Sequence, residues 1–465
     1  MDRKDLTQGS IAGNILTFSL PYILAYFLQI LYGLADLFII GRYCNVDSTT
    51  AVSNGAQVMY LLTCTVIGLA MGTTVRTAHA IGAKDNKQAS QIIGNTISLF
   101  LVLSIAMAVA LLFFRDGIVS LINTPMEAVK ETRAYLTVCF IGIPFIMAYN
   151  IIASIFRGLG DSKSPMYFVA IACLANILLD YFFIRHMGWG AVGAALGTTL
   201  SQMLSVAMAV MAIRRHRDIF DVKKEDLKPR RQAIAGILKI GIPIAMQDGF
   251  IQIAFIAITV IANGRGLYDA AAVGIVEKFI GLVFIVPSAM LSSISAIASQ
   301  NIGARQMDRA KKTMWTAMAI TTTYGVIVSV ILQFIPDMAV RAFTHDAHVI
   351  ALGAEYLRGY VWDCIFAGIH FCFSGFFTAC GYSLISFLHN FIAIVTARIP
   401  LSYLASEMYP DTLYPMGLAT CMGSVVSCLI CVMAYRFSYL YMRRSGETIA
   451  AFSQKDGNRL TNSSA

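Results

Sequence analysis

The sequence predicts an all-α polytopic membrane protein, with twelve transmembrane helices arranged as two six-helix bundles related by a parallel repeat. Three observations support this fold class. Of the 465 residues, 57% are hydrophobic and 13% are charged, whereas a soluble domain has about 25% charged residues. The apolar residues are concentrated in runs of about 20 residues or more, the length that a helix needs to cross a bilayer. Short motifs of the first half also recur in the second half.

Twelve apolar runs follow one another along the chain. They span roughly residues 14–40, 52–75, 91–114, 134–156, 165–184, 189–213, 233–263, 270–299, 313–335, 354–380, 384–406 and 412–435. Many are rich in Gly, Ala, Ser and Thr, which allow helices to pack closely in lipid. The segment before the first run is short and polar, so we expect no cleaved secretory signal.

The cysteines argue against a disulfide framework. Of ten cysteines, only Cys44 falls in a predicted loop, and the others lie in apolar runs. Cys428 and Cys431 form a CxxC motif, but the motif is inside a run. We therefore expect helix packing there instead of redox or metal chemistry.

The loop charges predict the orientation of the chain in the membrane. The termini and the loops near 76–87, 157–163, 214–239, 305–312 and 381–390 hold 25 Lys and Arg residues, and the opposite set of loops holds 8. Because basic loops stay in the cytoplasm, we expect both termini and the long 214–239 loop on that side of the cell inner membrane. The net charge of +9 then arises mostly from the basic residues that keep these loops in the cytoplasm. The RRHR at 214–217 is a membrane anchor in this interpretation, and we expect no nucleic-acid partner.

The two halves match each other at an offset of about 222 residues. The matching pairs include Pro21 with Pro243, Gly41-Arg42 with Gly264-Arg265, and Ile81-Gly82-Ala83 with Ile302-Gly303-Ala304. Since each half has six runs, both halves enter the membrane with the same orientation, which makes the repeat parallel. We therefore predict an N-terminal lobe at 10–215, a cytoplasmic linker at 216–232, a C-terminal lobe at 233–440 and a cytoplasmic tail at 441–465.

Four polar residues stand out in the apolar runs of the first half. Asp36 lies in the first run, Asn176 and Asp180 in the fifth, and Thr198 in the sixth. A carboxylate at the centre of a membrane helix costs roughly 2.5–3.5 kcal/mol on insertion scales, so such residues face a bundle interior or a wet cavity. Asn176 and Asp180 are four positions apart and share one helix face. The set offers oxygen ligands for a hard cation, and two close carboxylates can also share one proton. A hydrogen-bonded helix contact that only supports folding is the competing interpretation.

Several motifs resemble the multidrug and toxic compound extrusion (MATE) family. They are LPYILAYFLQILYGLADLFIIG, AHAIGAKD, IFRGLGDSKSPM and NILLDYFFI in the first half, and IGIPIAMQ and SQNIGARQ in the second. The resemblance covers about residues 10–440. It implies a MATE-like fold with a V-shaped central cavity, and export of drug-like, often cationic compounds in exchange for H⁺ or Na⁺. It also implies that Asp36, Asn176, Asp180 and Thr198 form the cation or proton site of the N-lobe.

The second half does not repeat this acidic set. At the repeat offset, Asn176 corresponds to Arg398 and Asp36 to Ile258. A fixed positive charge thus replaces a ligand, and we expect no cation at the equivalent place. Some members of the family have a glutamate in helix 7, which is missing here. Arg398 is expected to form a structural ion pair with Asp363 or Asp248, and Glu277 is a candidate for the cavity wall.

Methionine and aromatic residues are candidates for an adaptable cavity wall. The candidates are Tyr32, Tyr149, Phe156, Met203 and Met290. Ordinary helix packing is the competing interpretation for each of them.

The leading function hypothesis is a secondary antiporter that exports amphipathic or cationic compounds by alternating access of two lobes. A lipid-linked oligosaccharide flippase of the same wider superfamily is the alternative, although only Lys278 and Arg398 lie inside the runs to bind its pyrophosphate. An intramembrane enzyme or a channel is a third hypothesis. The sequence has no Walker A, HExxH or GxSxG motif, so we expect neither ATP hydrolysis nor enzymatic activity. We expect small-molecule substrates, a lipid environment, no cofactor besides the coupling ion, and a monomer.

Overall fold

The computed structural model describes residues 5–215 and 222–445. Within these ranges every regular element is a helix. This follows from the environment that the composition predicts, because a membrane helix satisfies its backbone hydrogen bonds internally.

The first six membrane helices lie in the first half of the chain. They are α1 (Ile11–Tyr43), α2 (Val46–Gly82), α3 (Asn86–Phe113), α4 (Val129–Gly158), α5 (Lys163–Asp180, continued as a π-helix over Tyr181–His186) and α6 (Gly190–Arg215). A short helix, Arg115–Leu121, separates α3 from α4.

The second half repeats this order. Its helices are α7 (Arg231–Arg265), α8 (Leu267–Val283 and Ile285–Gly303), α9 (Met307–Phe334), α10 (Ala347–Tyr360 and Asp363–Ala379), α11 (Ser383–Ala393, a π-helix over Ile394–Arg398, and Ile399–Met408) and α12 (Tyr414–Ser445). A short helix, Pro336–Arg341, precedes α10, at the place that Arg115–Leu121 takes in the first half.

The twelve predicted spans are confirmed. Among the described residues, eleven helices are long and apolar enough to cross a membrane, and the two parts of α10 form a twelfth span with a bend of 43°. The helices extend beyond the apolar runs at their ends, because polar first and last turns add no hydropathy signal. The chain is therefore an all-α membrane protein of two six-helix bundles with a parallel repeat.

Aspartate side chains cap two of these helices. Asp85 accepts a hydrogen bond from the backbone N–H of Gln88 at 2.9 Å at the start of α3. Asp161 accepts from the N–H groups of Lys163 and Ser164 at 3.0 Å each at the start of α5. Such caps satisfy backbone donors that have no partner within the helix, so they fix where the helix begins.

The chain forms two compact units. The first unit contains Thr17–Ile81 and Asp85–Ala245, and the second contains Leu6–Leu16, Gly82–Lys84 and the chain from Met246 onward. The predicted lobes differ from these units at the start of α1 and at the start of α7. Each of these two helices contains a proline, Pro21 or Pro243, within a few residues of the point where the unit changes.

Part of the predicted linker is docked on α3. The side-chain amide of Asn95 donates to the carbonyl of Asp226 at 3.1 Å, and its oxygen accepts from the N–H of Arg230 at 2.6 Å. The hydroxyl of Ser98 donates to the carbonyl of Leu227 at 2.6 Å. Residues 216–221 of the linker and 446–465 of the tail lie outside the described residues.

Candidate functional site

The four polar residues predicted from the first half come together inside the first unit. Asp36 lies on α1, Asn176 and Asp180 lie on α5, and Thr198 lies on α6. The Asp36 carboxyl interacts with the side chains of all three others. Asp36, Asn176 and Asp180 are buried, with exposed fractions of 6%, 1% and 0%.

Two hydrogen bonds connect these side chains. The hydroxyl of Thr198 donates to Oδ2 of Asp36 at 3.3 Å, and the amide Nδ2 of Asn176 donates to Oδ1 of Asp180 at 3.4 Å. Both distances exceed the usual range for bonds to charged acceptors. The four side chains are therefore close but loosely bonded to one another.

Three oxygens of this group have no hydrogen-bond partner although they are inaccessible. They are Oδ1 of Asp36, Oδ1 of Asn176 and Oδ2 of Asp180. A buried polar atom without a partner is costly, and it calls for an explanation such as an ion or a proton. Carboxylate, amide and hydroxyl oxygens are the donors that hard cations prefer. The chemistry of this set thus fits either one proton or one monovalent hard cation.

Gly197 makes room for the carboxyl of Asp180. A β-carbon at this position would lie 1.9 Å from Oδ1 of Asp180, far inside van der Waals contact. Glycine is therefore required where α6 passes the carboxyl. Immediately after Asp180, α5 changes to π-helix geometry over Tyr181–His186, a local feature that is frequent at functional sites.

A small cavity lies between α1, α5 and α6 of the first unit. Its polar lining consists of Gln29, Tyr32, Ser201, Gln202 and Ser205. Tyr32 lies one turn before Asp36 and interacts with it electrostatically. Oε1 of Gln202, in the lining of this cavity, also lacks a hydrogen-bond partner.

The candidate cavity residues divide into two groups. Tyr32 is half-buried and lines the small cavity, and Met203 is exposed. Tyr149, Phe156 and Met290 are buried, and the first two belong to a packed cluster with Phe168 and Val169. The side chains of these three are enclosed by neighbouring helices in this structure, and their role in a cavity wall stays a prediction. Residue type alone cannot show which helix face turns inward.

The charged residues of the second unit form a separate group. Nη1 of Arg398 lies 3.7 Å from Oδ2 of Asp363, and Oε1 of Glu277 accepts a 2.9 Å hydrogen bond from the hydroxyl of Tyr356. Asp248 is half-buried and is in no ion pair within the described part of the chain. Glu277 thus belongs to the same cluster as Arg398. The sequence alone did not connect these two residues.

Twelve apolar helices in two repeats, with an acidic centre buried in one of them, define a two-lobe membrane transporter. The chain belongs to the MatE family, whose model matches residues 21–182 and 243–404, once in each half. This confirms the resemblance to the multidrug and toxic compound extrusion family. The family is one of membrane transporters and not a class of enzymes.

Individual relatives agree over most of their length. The chain is 26% identical over 438 residues to the probable multidrug resistance protein YpnP of Bacillus subtilis (strain 168), which covers 94% of this chain and 97% of that protein. It is 23% identical over 404 residues to the multidrug export protein MepA of Staphylococcus haemolyticus, covering 86% and 88%. A crystal structure of MATE in complex with MaL6 superposes with a TM-score of 0.89 at 21% identity, covering 94% of this chain and 98% of that one. The structural likeness supports the fold.

Proposed function

We propose that this protein is a secondary antiporter that exports amphipathic, often cationic compounds in exchange for H⁺ or Na⁺. The observation behind this proposal is the buried group of Asp36, Asn176, Asp180 and Thr198 with its three unpartnered oxygens. The relatives named as multidrug resistance or export proteins support the substrate class. We place the protein in the cell membrane as a monomer, with both termini in the cytoplasm.

Cation binding changes the balance of charge in the first unit. Two unit charges about 4 Å apart interact by about 4 kcal/mol at an effective dielectric constant of 20. A proton or Na⁺ between Asp36 and Asp180 removes this repulsion and uses the oxygens that lack partners. The helices that present these groups then pack differently with and without the cation.

Helix α1 couples this change to the path of the substrate. It contains both Asp36 and Pro21, and Pro21 lies nearer to the start of the helix. A proline inside a helix removes one backbone hydrogen bond and weakens the helix locally. A cation that binds one arrangement of α1 better than another shifts the population toward that arrangement. Uptake of the cation from outside thereby favours release of the substrate.

Transport in proteoliposomes tests the proposal. The purified protein is reconstituted, loaded with a fluorescent organic cation, and exposed to a pH gradient or a Na⁺ gradient imposed separately. Uphill, saturable movement under one gradient and not under a matched K⁺ gradient supports an antiporter and identifies the ion. Movement that only follows the concentration of the compound indicates a channel and contradicts the proposal.

A further inference from the structure

A second buried charged cluster lies in the second unit, and it is built differently from the first. It consists of Glu277 on α8, Asp363 on α10 and Arg398 on α11, together with Tyr356 and Tyr360 of α10. Asp363 has no exposed surface, Arg398 is 9% exposed, and Glu277 is half-buried with its Oε2 inaccessible. One member of the cluster has a counterpart in the acidic group, because Arg398 corresponds to Asn176 at the offset of about 222 residues. Arg398 also ends the π-helical segment Ile394–Arg398.

The guanidinium of Arg398 is enclosed by acidic and aromatic groups. Its Nη1 lies 3.7 Å from Oδ2 of Asp363, and its Nη2 donates a hydrogen bond to the hydroxyl of Tyr360. Its Cζ lies 5.3 Å from the centroid of the Phe255 ring. A desolvated cation of this kind is held both by its counter-ion and by the aromatic faces.

Glu277 is attached to the same cluster by a different contact. Its Oε1 accepts a 2.9 Å hydrogen bond from Tyr356, and its charge interacts with those of Arg398 and Asp363. Its Oε2 is inaccessible and has no hydrogen-bond partner, and neither do the two carboxyl oxygens of Asp363. Ser424 lies next to Asp363 without forming a bond of good geometry.

The ionisable groups of the cluster do not neutralise one another. Two carboxyls face one guanidinium, so full ionisation leaves one uncompensated negative charge in a buried site, which is strongly unfavourable. Lys278 does not supply the missing charge, because it follows Glu277 directly in a helix and projects to the exposed side. The other titratable groups around the cluster, within the described residues, are neutral or acidic side chains and none is a permanent cation: Tyr356, Tyr360, Cys364, His370, Cys421 and Cys428.

We propose that this cluster is a proton-binding site, in which the guanidinium of Arg398 stands where an exchangeable cation would bind and the two carboxyls together hold one proton. The proton resides on Glu277, since Asp363 is the direct ion-pair partner of Arg398. This goes beyond the proposed function, because it assigns a ligand to the second unit, whose residues differ from those of the first.

The ligand is a proton and not a metal ion. A metal cation at the free oxygens of Glu277 and Asp363 would lie close to the fixed charge of Arg398 and be repelled by it. A proton instead neutralises one carboxyl and adds no separate charge. It also leaves Oε1 of Glu277 free to accept the hydrogen bond from Tyr356.

Infrared spectroscopy of the purified protein near neutral pH measures this proton directly, without any transport assay. The carbonyl stretch of a protonated carboxyl is separate from the bands of carboxylates and shifts in D₂O. The measurement uses the variant Asp36→Asn/Asp180→Asn as background, so that the acidic group of the first unit contributes no carboxyl signal. Glu277→Gln, Asp363→Asn and Arg398→Gln are then compared in that background, with Arg398→Lys and Tyr356→Phe as conservative controls.

The expected changes have opposite signs. Glu277→Gln removes one protonated carboxyl, and Asp363→Asn also removes one, because Glu277 then becomes the counter-ion of Arg398. Arg398→Gln adds one, since both carboxyls must then be neutral. Arg398→Lys leaves the number unchanged, and Tyr356→Phe keeps the band but moves its frequency.

Two results overturn the proposal. One is an unchanged protonated-carboxyl band in Glu277→Gln and Asp363→Asn, both of which preserve the shape of the side chain. The other is an increase in thermal stability with Na⁺ in the background variant that disappears in Glu277→Gln, which would indicate a metal site. If the protein proves not to be an antiporter, the infrared band and the effect of Na⁺ on thermal stability are unaffected. The antiporter proposal and the proton-site proposal can therefore fail independently.

Discussion

The hydroxyl of Thr198 donates a 3.3 Å hydrogen bond to Oδ2 of Asp36. This contact joins α6 to α1 inside the first unit, while Asn176 and Asp180 approach the same carboxyl from α5. The Arg398 cluster of the second unit has a guanidinium at the repeat position of Asn176. In the proposed function, one repeat binds an exchangeable cation, whereas the other contains a permanent one.

Asp36→Asn is expected to abolish export driven by an ion gradient while the protein stays folded. The amide has nearly the same shape as the carboxyl but cannot take up a proton or contribute a charge to a cation site. Asp180→Asn should be nearly as severe, and Asp363→Asn should be milder. Efflux from proteoliposomes measures the effect, with expression and thermal stability recorded alongside.

Asp116→Asn is the matched control for this experiment. Asp116 is an exposed carboxylate that pairs with Arg115 and Arg133 at the surface, so its variant should transport at the wild-type rate. Wild-type transport by Asp36→Asn, or loss of transport only through misfolding, would leave helix packing as the role of Asp36.

Thr198→Val tests whether the hydroxyl serves as a ligand. The substitution preserves the shape of the side chain and removes one oxygen from the group. Hydrogen bonds to charged groups contribute about 1.5–3 kcal/mol, so a Na⁺-dependent response should need roughly tenfold more Na⁺. Na⁺ titration of transport and of thermal stability measures this shift. A response to pH alone, unchanged by Thr198→Val, would assign the site to a proton.

Arg265→Ala is expected to destabilise the second unit, although Arg265 belongs neither to the candidate cation site nor to the Arg398 cluster. The Arg265 guanidinium pairs with Asp269 at 2.6 Å and donates to the carbonyls of Ser406, Tyr409, Pro410 and Thr412. Its removal takes a charged donor from each of these carbonyls, and we expect a loss of about 2–4 kcal/mol in the free energy of unfolding. Arg42, its exposed counterpart in the repeat, provides the control, since Arg42→Ala should leave the melting temperature unchanged.

The orientation of the chain can be checked by labelling from each side of the membrane. A reporter fused after Arg443 should be cytoplasmic, and a membrane-impermeant maleimide should label Cys44 from outside. Cys44→Ser is the control for labelling elsewhere. External labelling of a cysteine placed at Lys224, in the linker, would contradict the orientation that the loop charges predict.

Hydropathy was sufficient to predict the twelve spans, because the cost of exposing backbone and charge to lipid acts on each helix separately. The same cost singled out Asp36, Asn176 and Asp180, since ionisable and amide groups are rare inside such runs. Their convergence on one place was predicted from the i, i+4 spacing and the family resemblance together.

Contacts that depend on tertiary packing could not be predicted in the same way. Tyr356 donates to Glu277 across two helices that are far apart in the sequence, and nothing in either segment indicates this bond. Tyr149 and Phe156 have residue types suited to a cavity wall, yet they lie in the packed cluster of the first unit. The direction of a side chain in a membrane helix that is apolar on all sides has no periodic signal to reveal it.

Gly197→Ala is expected to impair ion coupling although it adds a single methyl group. The new β-carbon would lie 1.9 Å from Oδ1 of Asp180, so either the carboxyl must turn away from Asn176 or α6 must move from α5. Overpacking of this kind costs about 1–3 kcal/mol, and where this cost falls on the cation-bound arrangement it lowers the affinity for the cation by roughly 5- to 150-fold.

Gly197→Ala should change the cation dependence of transport more than it changes the stability of the fold. Gly33→Ala is the matched control, because Gly33 lies on α1 of the same unit and a β-carbon there would meet nothing within 4 Å. Cation titration of efflux and thermal melting are measured for both variants. If Gly197→Ala binds the cation as tightly as Gly33→Ala does, the position of the Asp180 carboxyl against α6 has no part in coupling, and the site must be formed with this side chain in another orientation.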